Sequence, residues 1–203
     1  MTASPFSLIA ELTHRCPLHC LYCSNPIALK GAENELSTED WKRVFAQAGR
    51  MGVLHLHLTG GEPLVRGDLV ELISAARDSG LYVNMITSGV GLREDRLSAL
   101  VDAGLEHLQL SFQDQDEASA NHIAGARAHA LKLALVPLIR KFPLALTVNL
   151  VVHRMNLDRL PEFIAMAEEL APDRLEIAHV QYYGWALKNR SLLMPSEEQV
   201  HRS

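Results

Sequence analysis

All three cysteines of the chain, Cys16, Cys20 and Cys23, fall within eight residues in the spacing C-x3-C-x2-C. Thiolates this close in sequence can wrap one metal centre, yet they leave it a ligand short. A four-iron cluster that only carries electrons takes four cysteine ligands. Three leave one iron open to a small molecule, as the vacant position of a catalytic metal site does. The competing reading is a zinc ion with His14 or His19 as its fourth ligand. Zinc knuckles usually combine two separated ligand pairs, and no cysteine follows Cys23. A disulfide framework does not fit an odd count with no sign of secretion.

A second stretch with chemical potential is Thr59-Gly60-Gly61-Glu62-Pro63. Adjacent glycines let a backbone turn approach a ligand closely. Glu62 adds an anionic acceptor, so an ammonium would suit the turn's carbonyls and its carboxylate. Alone, such a stretch is an ordinary turn; one strand end beyond a cysteine loop, it becomes a signal. Ser88, Ser111, Gln113 and Asn149 lie at or near the ends of later strands, where each could bond a ribose or an amino-acid carboxylate. Each could equally be satisfied by backbone. His153 and Arg154 could meet a carboxylate or face solvent, and the aromatics of residues 181–185 either wall a pocket or seal the core. His55 and His57 share one face of a short strand, which explains them without a ligand.

These residues hang on a repeating frame. Apolar or alternating runs at 6–12, 53–58, 81–87, 105–112, 144–152 and 174–180 read as six strands. Between them run helical patterns. One opens at Ser37 or Thr38, with Glu39 and Asp40 suited to the positive helix end, and buries Trp41, Val44, Phe45 and Ala48. Others carry Leu69, Val70, Leu72, Ile73 and Ala76, then Leu97, Leu100 and Val101, then a longer helix over 118–138 that Pro137 ends or kinks. A last one opens at Asn156 or Asp158, carries Leu160, Phe163, Ile164 and Ala167, and closes at Pro172. Alternating βα units predict an α/β fold with a parallel sheet. A complete eight-unit barrel needs about 250 residues, so this chain suits a partial (βα)6 barrel, TIM-like but incomplete. A polar connector is expected over 30–35, and the tail 185–203 is polar and proline-broken, with a last helix from Ser196.

Composition is that of a globular chain: 48% apolar, 21% charged and a net charge of −5, against the basic face of a nucleic-acid binder. Apolar runs fall short of a membrane span, and the N-terminus shows no export signal. With clustered reduced thiols, a cytoplasmic location is expected.

The stretches CPLHCLYCSNP, HLTGGEPLVRGDL, QLSFQDQD and EIAHVQYYGWALKNRSLLMP together resemble the radical S-adenosylmethionine (SAM) superfamily. Within it, they are similar to the coenzyme PQQ synthesis protein E family. The resemblance implies a 4Fe-4S cluster on Cys16, Cys20 and Cys23 whose open iron chelates the amino and carboxylate groups of SAM. Tyr22 stands where the superfamily usually has an aromatic residue. Gly60, Gly61, Glu62, Pro63, Ser88, Ser111, Gln113 and Asn149 would line the cofactor and substrate side. The implied chemistry is reductive cleavage of SAM to methionine and a 5′-deoxyadenosyl radical, then a Glu–Tyr carbon–carbon crosslink in the precursor peptide PqqA. Implied partners are the peptide chaperone PqqD and a flavodoxin-like or other low-potential electron donor. No side-chain general base is named. Members of that family continue into a cysteine-rich SPASM domain, so residues 1–184 are expected to form the radical SAM core and 185–203 a linker towards it. Rival readings are another peptide-modifying or sulfatase-maturing member, a truncated domain that cleaves SAM unproductively, and a zinc-binding βα scaffold.

Overall fold

The computed structural model describes residues 5–27 and 35–202. Of the connector expected over 30–35, only Glu35 lies within the described residues. Six parallel strands form one sheet in simple sequential order: β1 (Ser7–Glu11), β2 (His55–Thr59), β3 (Tyr82–Thr87), β4 (His107–Phe112), β5 (Ala145–Val152) and β6 (Arg174–His179). β1 and β6 stay unpaired to one another, so the barrel is open. The crossovers carry α1 (Thr38–Arg50), α2 (Leu69–Asp78), α3 (Glu94–Ala103), α4 (Glu117–Ala124), α5 (His129–Ile139) and α6 (Leu160–Leu170).

Alternation along the strands decides which face is which. Leu56 and Leu58, Val83 and Met85, Leu108, Leu110 and Phe112, and Leu146, Val148 and Leu150 pack beneath the helices with Phe45, Leu72, Ile73, Leu97 and Leu100. Fully burying each such side chain contributes about 1.5–3 kcal/mol. The opposite face carries polar residues: His57 Nδ1 lies 2.9 Å from Asn84 Nδ2, and His107 Nε2 lies 2.8 Å from Thr147 Oγ1. Thus His55 and His57 are accounted for by strand parity, with burial holding the His57 pKa down.

Two helical segments depart from expectation. The single helix over 118–138 is two, because Gly125 takes a left-handed φ of 64° that caps α4, a conformation an L side chain rarely adopts. Pro137 sits inside α5 without ending it. After β6 the last helix expected from Ser196 forms as α9 (Glu197–Arg202), but two helices the sequence reading did not foresee, α7 (Gly184–Lys188) and α8 (Arg190–Leu193), precede it. Ala186 and Leu193 are buried, the Ala186 N–H donates to the Cys23 carbonyl at 2.9 Å, and Asn189 Nδ2 donates to the Leu21 carbonyl at 2.9 Å. The segment read as a linker therefore begins as a clasp on the cysteine loop. Among the described residues no helix is long and apolar enough to cross a membrane.

Candidate metal and cofactor site

The cysteine loop leaves β1 at the carboxyl edge of the sheet, where parallel βα folds place their ligands. Its three thiols are free and half-buried. The loop is held by backbone bonds, from the His19 N–H to the Ala124 carbonyl at 2.9 Å and from the Leu21 N–H to the Ile123 carbonyl at 3.0 Å. Burial pushes the Cys20 thiol up to about 12 and the Cys16 thiol upward, so both are protonated unless a metal replaces the proton. Among the described residues no three His, Cys, Asp or Glu side chains converge as ligands of a single ion would. Thiolates on a multi-iron cluster bind different irons and need no such convergence.

The neighbouring turn has a structural cause that sequence alone does not reveal. A Cβ on Gly60 would overlap the Thr13 carbonyl, and one on Gly61 would overlap the Arg15 carbonyl. The close backbone approach that the glycine pair permits is therefore made to the cysteine loop itself. The Gly61 N–H donates to the Thr13 carbonyl at 2.6 Å and the Glu62 N–H to the Arg15 carbonyl at 2.9 Å. Glu62 is 1% exposed, and Pro63 starts a 3-10 turn beside it. The Glu62 carboxylate accepts from the Leu64 N–H (3.1 Å), Thr87 Oγ1 (2.6 Å), the Ser88 N–H (2.8 Å) and Ser88 Oγ (2.5 Å). An ionised carboxylate has about four acceptor positions, so in this arrangement Glu62 staples the ends of β2 and β3. Ser88 is one of its donors. The Gly60 carbonyl accepts one bond, from Asn25 Nδ2 at 3.2 Å, and keeps a second lone pair for an ammonium.

Ser111 and Asn149 are register partners across β4 and β5 and share the inner face. Gln113 continues that parity past the strand end and is buried. Its amide is bonded at both ends: Oε1 accepts from Lys132 Nζ at 2.6 Å, and Nε2 donates to the Tyr22 hydroxyl at 2.9 Å. Lys132, which the sequence reading missed, is wholly buried and also donates to the Ser111 carbonyl at 2.8 Å. Among the described residues no carboxylate lies within ion-pair reach of it. Burial holds its pKa down to about 8, against the opposing pull of Cys20, Glu62 and Cys16. Buried charges need compensation, and the groups near this one that can carry negative charge are Glu62 and the thiols of Cys20 and Cys16. A lysine within the apolar pattern LKLALV carries no local mark of this role; its place on α5 behind the loop is tertiary.

The remaining candidates divide. His153 is wholly buried beside the Tyr22 ring, with centroids 5.6 Å apart. Arg154 turns outward to the Ser191 carbonyl at 3.0 Å. Tyr182 packs against the clasp helices, whereas Tyr183 and Trp185 are exposed.

Residues 10–167 match the model of the Radical SAM superfamily. The chain belongs to the radical SAM superfamily. Membership makes its cofactors a 4Fe-4S cluster and SAM, and the residues present fit the pair: three free thiols on one loop, an adjacent carbonyl for an ammonium, and a buried cation for negative charge. Superfamily relatives include the PqqA peptide cyclase of Gluconobacter oxydans, 54% identical over 100% of this chain and 57% of its own length. That of Bradyrhizobium diazoefficiens is 53% identical over 97% and 52%. The chain thus spans about half the length of the curated relatives it matches. In fold it is similar to Streptococcus suis SuiB bound to precursor peptide SuiA, with a TM-score of 0.78 and 21% identity over 88% of this chain and 40% of that one. It is similar also to anSMEcpe with bound AdoMet, with a TM-score of 0.72 and 18% identity over 86% and 51%.

Proposed function

We propose that this chain is the radical-generating core of a PqqA peptide-crosslinking enzyme of pyrroloquinoline quinone biosynthesis. The observation that carries the reading is 54% identity to a PqqA peptide cyclase along the whole chain. When bound, the cluster and SAM would supply a 5′-deoxyadenosyl radical for hydrogen abstraction from a glutamate side chain of PqqA, the step that initiates a Glu–Tyr carbon–carbon crosslink. In this reading Cys16, Cys20 and Cys23 hold the cluster, and the Gly60 carbonyl takes the amino group of SAM. Lys132, with two of its three N–H donors used, offers the third to a carboxylate. Ser111 and Asn149 face the ribose or the peptide, and Tyr22 and the α7–α8 clasp keep water from the loop. PqqD and a flavodoxin-like donor are the partners and the cytoplasm the location. Residues 1–184 act as the core, with 185–203 leading towards a SPASM domain.

The test uses anaerobically reconstituted protein with SAM, dithionite, PqqA and PqqD. The reading expects 5′-deoxyadenosine, and binding of the PqqA–PqqD pair in preference to an unrelated precursor peptide. The fold likeness to SuiB bound to its precursor peptide favours a second reading, a different peptide substrate at the same site. Equal binding of unrelated peptides would support that instead.

A further inference from the structure

Hydrogen-bond polarity propagates from Lys132 in one direction only. An ammonium has donors and no acceptor, so the Gln113 oxygen must face it and the Gln113 NH2 must face outward. That NH2 reaches the Tyr22 oxygen, which is thereby the acceptor and must aim its own O–H elsewhere. The hydroxyl's other side-chain neighbour is the Cys20 sulfur, toward which its rotatable O–H is free to turn. A bonded chain results, from Lys132 Nζ through the Gln113 amide to the Tyr22 hydroxyl, and its polarity directs the O–H towards the Cys20 sulfur. Its origin is a wholly buried lysine with no carboxylate in ion-pair reach among the described residues, and a charge so placed is little screened by salt.

We propose that Lys132, Gln113 and Tyr22 form a relay that sets the reduction potential of the cluster through Cys20. The proposal rests on the reading that the three cysteines hold a 4Fe-4S cluster. Hydrogen bonds to cluster sulfurs and nearby net charge are what tune such centres. One-electron reduction adds negative charge at the sulfurs, and donors and a cation directed there stabilise the reduced form, raising the potential. The relay therefore brings the cluster within reach of its electron donor while lowering its strength as a reductant. Because Gln113 follows β4 directly and Lys132 lies on α5, the relay also fixes the cysteine loop to the β4–α5 unit. These are positioning and tuning residues; none is assigned a bond-making step.

The experiment is a redox titration of the reconstituted 203-residue chain followed by EPR, with iron, sulfide and circular dichroism measured on each sample. Tyr22→Phe removes only the terminal hydroxyl, Gln113→Leu cuts the middle, and Lys132→Met removes the charge. Each is expected to keep a full iron load and to move the midpoint potential negative by at least tenfold in the reduction equilibrium, about 59 mV for one electron. Lys132→Arg, retaining charge, should recover most of the shift. A fully loaded Tyr22→Phe protein with an unchanged potential would overturn the relay. So would a shift in Tyr22→Phe that Gln113→Leu does not share. If Lys132→Met does not fold, the other two variants still decide. A wild-type chain that binds zinc and never a four-iron cluster would defeat the reading beneath the proposal instead, so the two failures are distinguishable.

Discussion

Cys20, Glu62 and His153 each show burial shaping the chemistry of one side chain. With its thiol pushed up to about 12 by burial, Cys20 gives up a proton only to a metal, which deprotonates a coordinating thiol outright. Cluster loading should release protons and tighten as pH rises, read as iron bound at fixed free iron and sulfide. Cys16→Ala, Cys20→Ala and Cys23→Ala should each abolish the cluster, seen as loss of visible absorbance and iron, because three ligands leave no spare. Glu62→Gln places an amide among donors it cannot all accept from. It should cost about 3 kcal/mol of stability, measured by urea unfolding of the metal-free chain. Burial holds the His153 pKa down at about 4, while its Nδ1 accepts from the Met155 N–H at 3.2 Å. An unfolded histidine titrates near 6.5, so between these values the unfolded chain binds the extra proton. His153 therefore leaves stability intact above about pH 6.5 and removes it progressively as pH falls to about 4, by up to about 3 kcal/mol. His153→Gln should flatten that part of the pH–stability curve.

At the level of elements, the site depends on joints between neighbours. The β2 turn and the cysteine loop approach so closely that Gly60 and Gly61 admit no side chain, and Gly60 adopts a φ of 135° besides. Gly61→Val must displace the backbone at Arg15, immediately before Cys16. Its expected outcome is a joint fall in thermal midpoint and iron content, followed by calorimetry and iron analysis. Full iron with a selective loss of SAM affinity would return the glycine to a ligand-contact role. The α4–α5 break works similarly. Gly125 ends α4 beside the His19 backbone, and the carbonyls of Ile123 and Ala124 thereby reach the loop's N–H groups. A continuous helix would have used those carbonyls internally.

At the scale of the whole molecule, the sheet has two free edges among the described residues, β1 and β6. Phe6 and Ile9 at the β1 edge are 63% and 66% exposed, and Ile177 on β6 is 41% exposed. Unpaired strand edges with apolar side chains template association. The chain should therefore self-associate with rising concentration, as light scattering would show; a monodisperse monomer at high concentration would refute this. At this scale the proposed reaction also divides. Electron uptake and SAM cleavage call on the cysteine loop and the β2–β5 rim. The curated relatives extend well past the region matched, and on the proposed reading peptide alignment needs that further part. The 203-residue chain should form 5′-deoxyadenosine slowly and without coupling, leaving PqqA uncrosslinked even with PqqD present. Mass spectrometry decides it: a peptide lighter by two hydrogens would show the chain catalytically complete.

Local chemistry was enough for much of this. The C-x3-C-x2-C spacing restricts the metal choices because thiolates so close in sequence share one loop wherever it lies. Period-two and helical patterns predicted all six strands and the order of units, since each amphipathic element must bury its own stripe. The capping box at Ser37 and Asp40 formed for the same reason: its bonds are made within four residues. What depends on distant packing was not legible. Gly60 and Gly61 are small because of Thr13 and Arg15, and Glu62 is saturated by Thr87 and Ser88 from the next strand. Residues 185–193 fall in the stretch read as polar linker, yet they clasp the loop because Ala186 and Asn189 meet its carbonyls. Lys132 was invisible in an apolar helix, since its value lies in a buried charge beneath thiols more than a hundred residues earlier in the chain. Tertiary structure alone brings that cation to the cysteines, and electrostatics in a dry interior gives the placement its force.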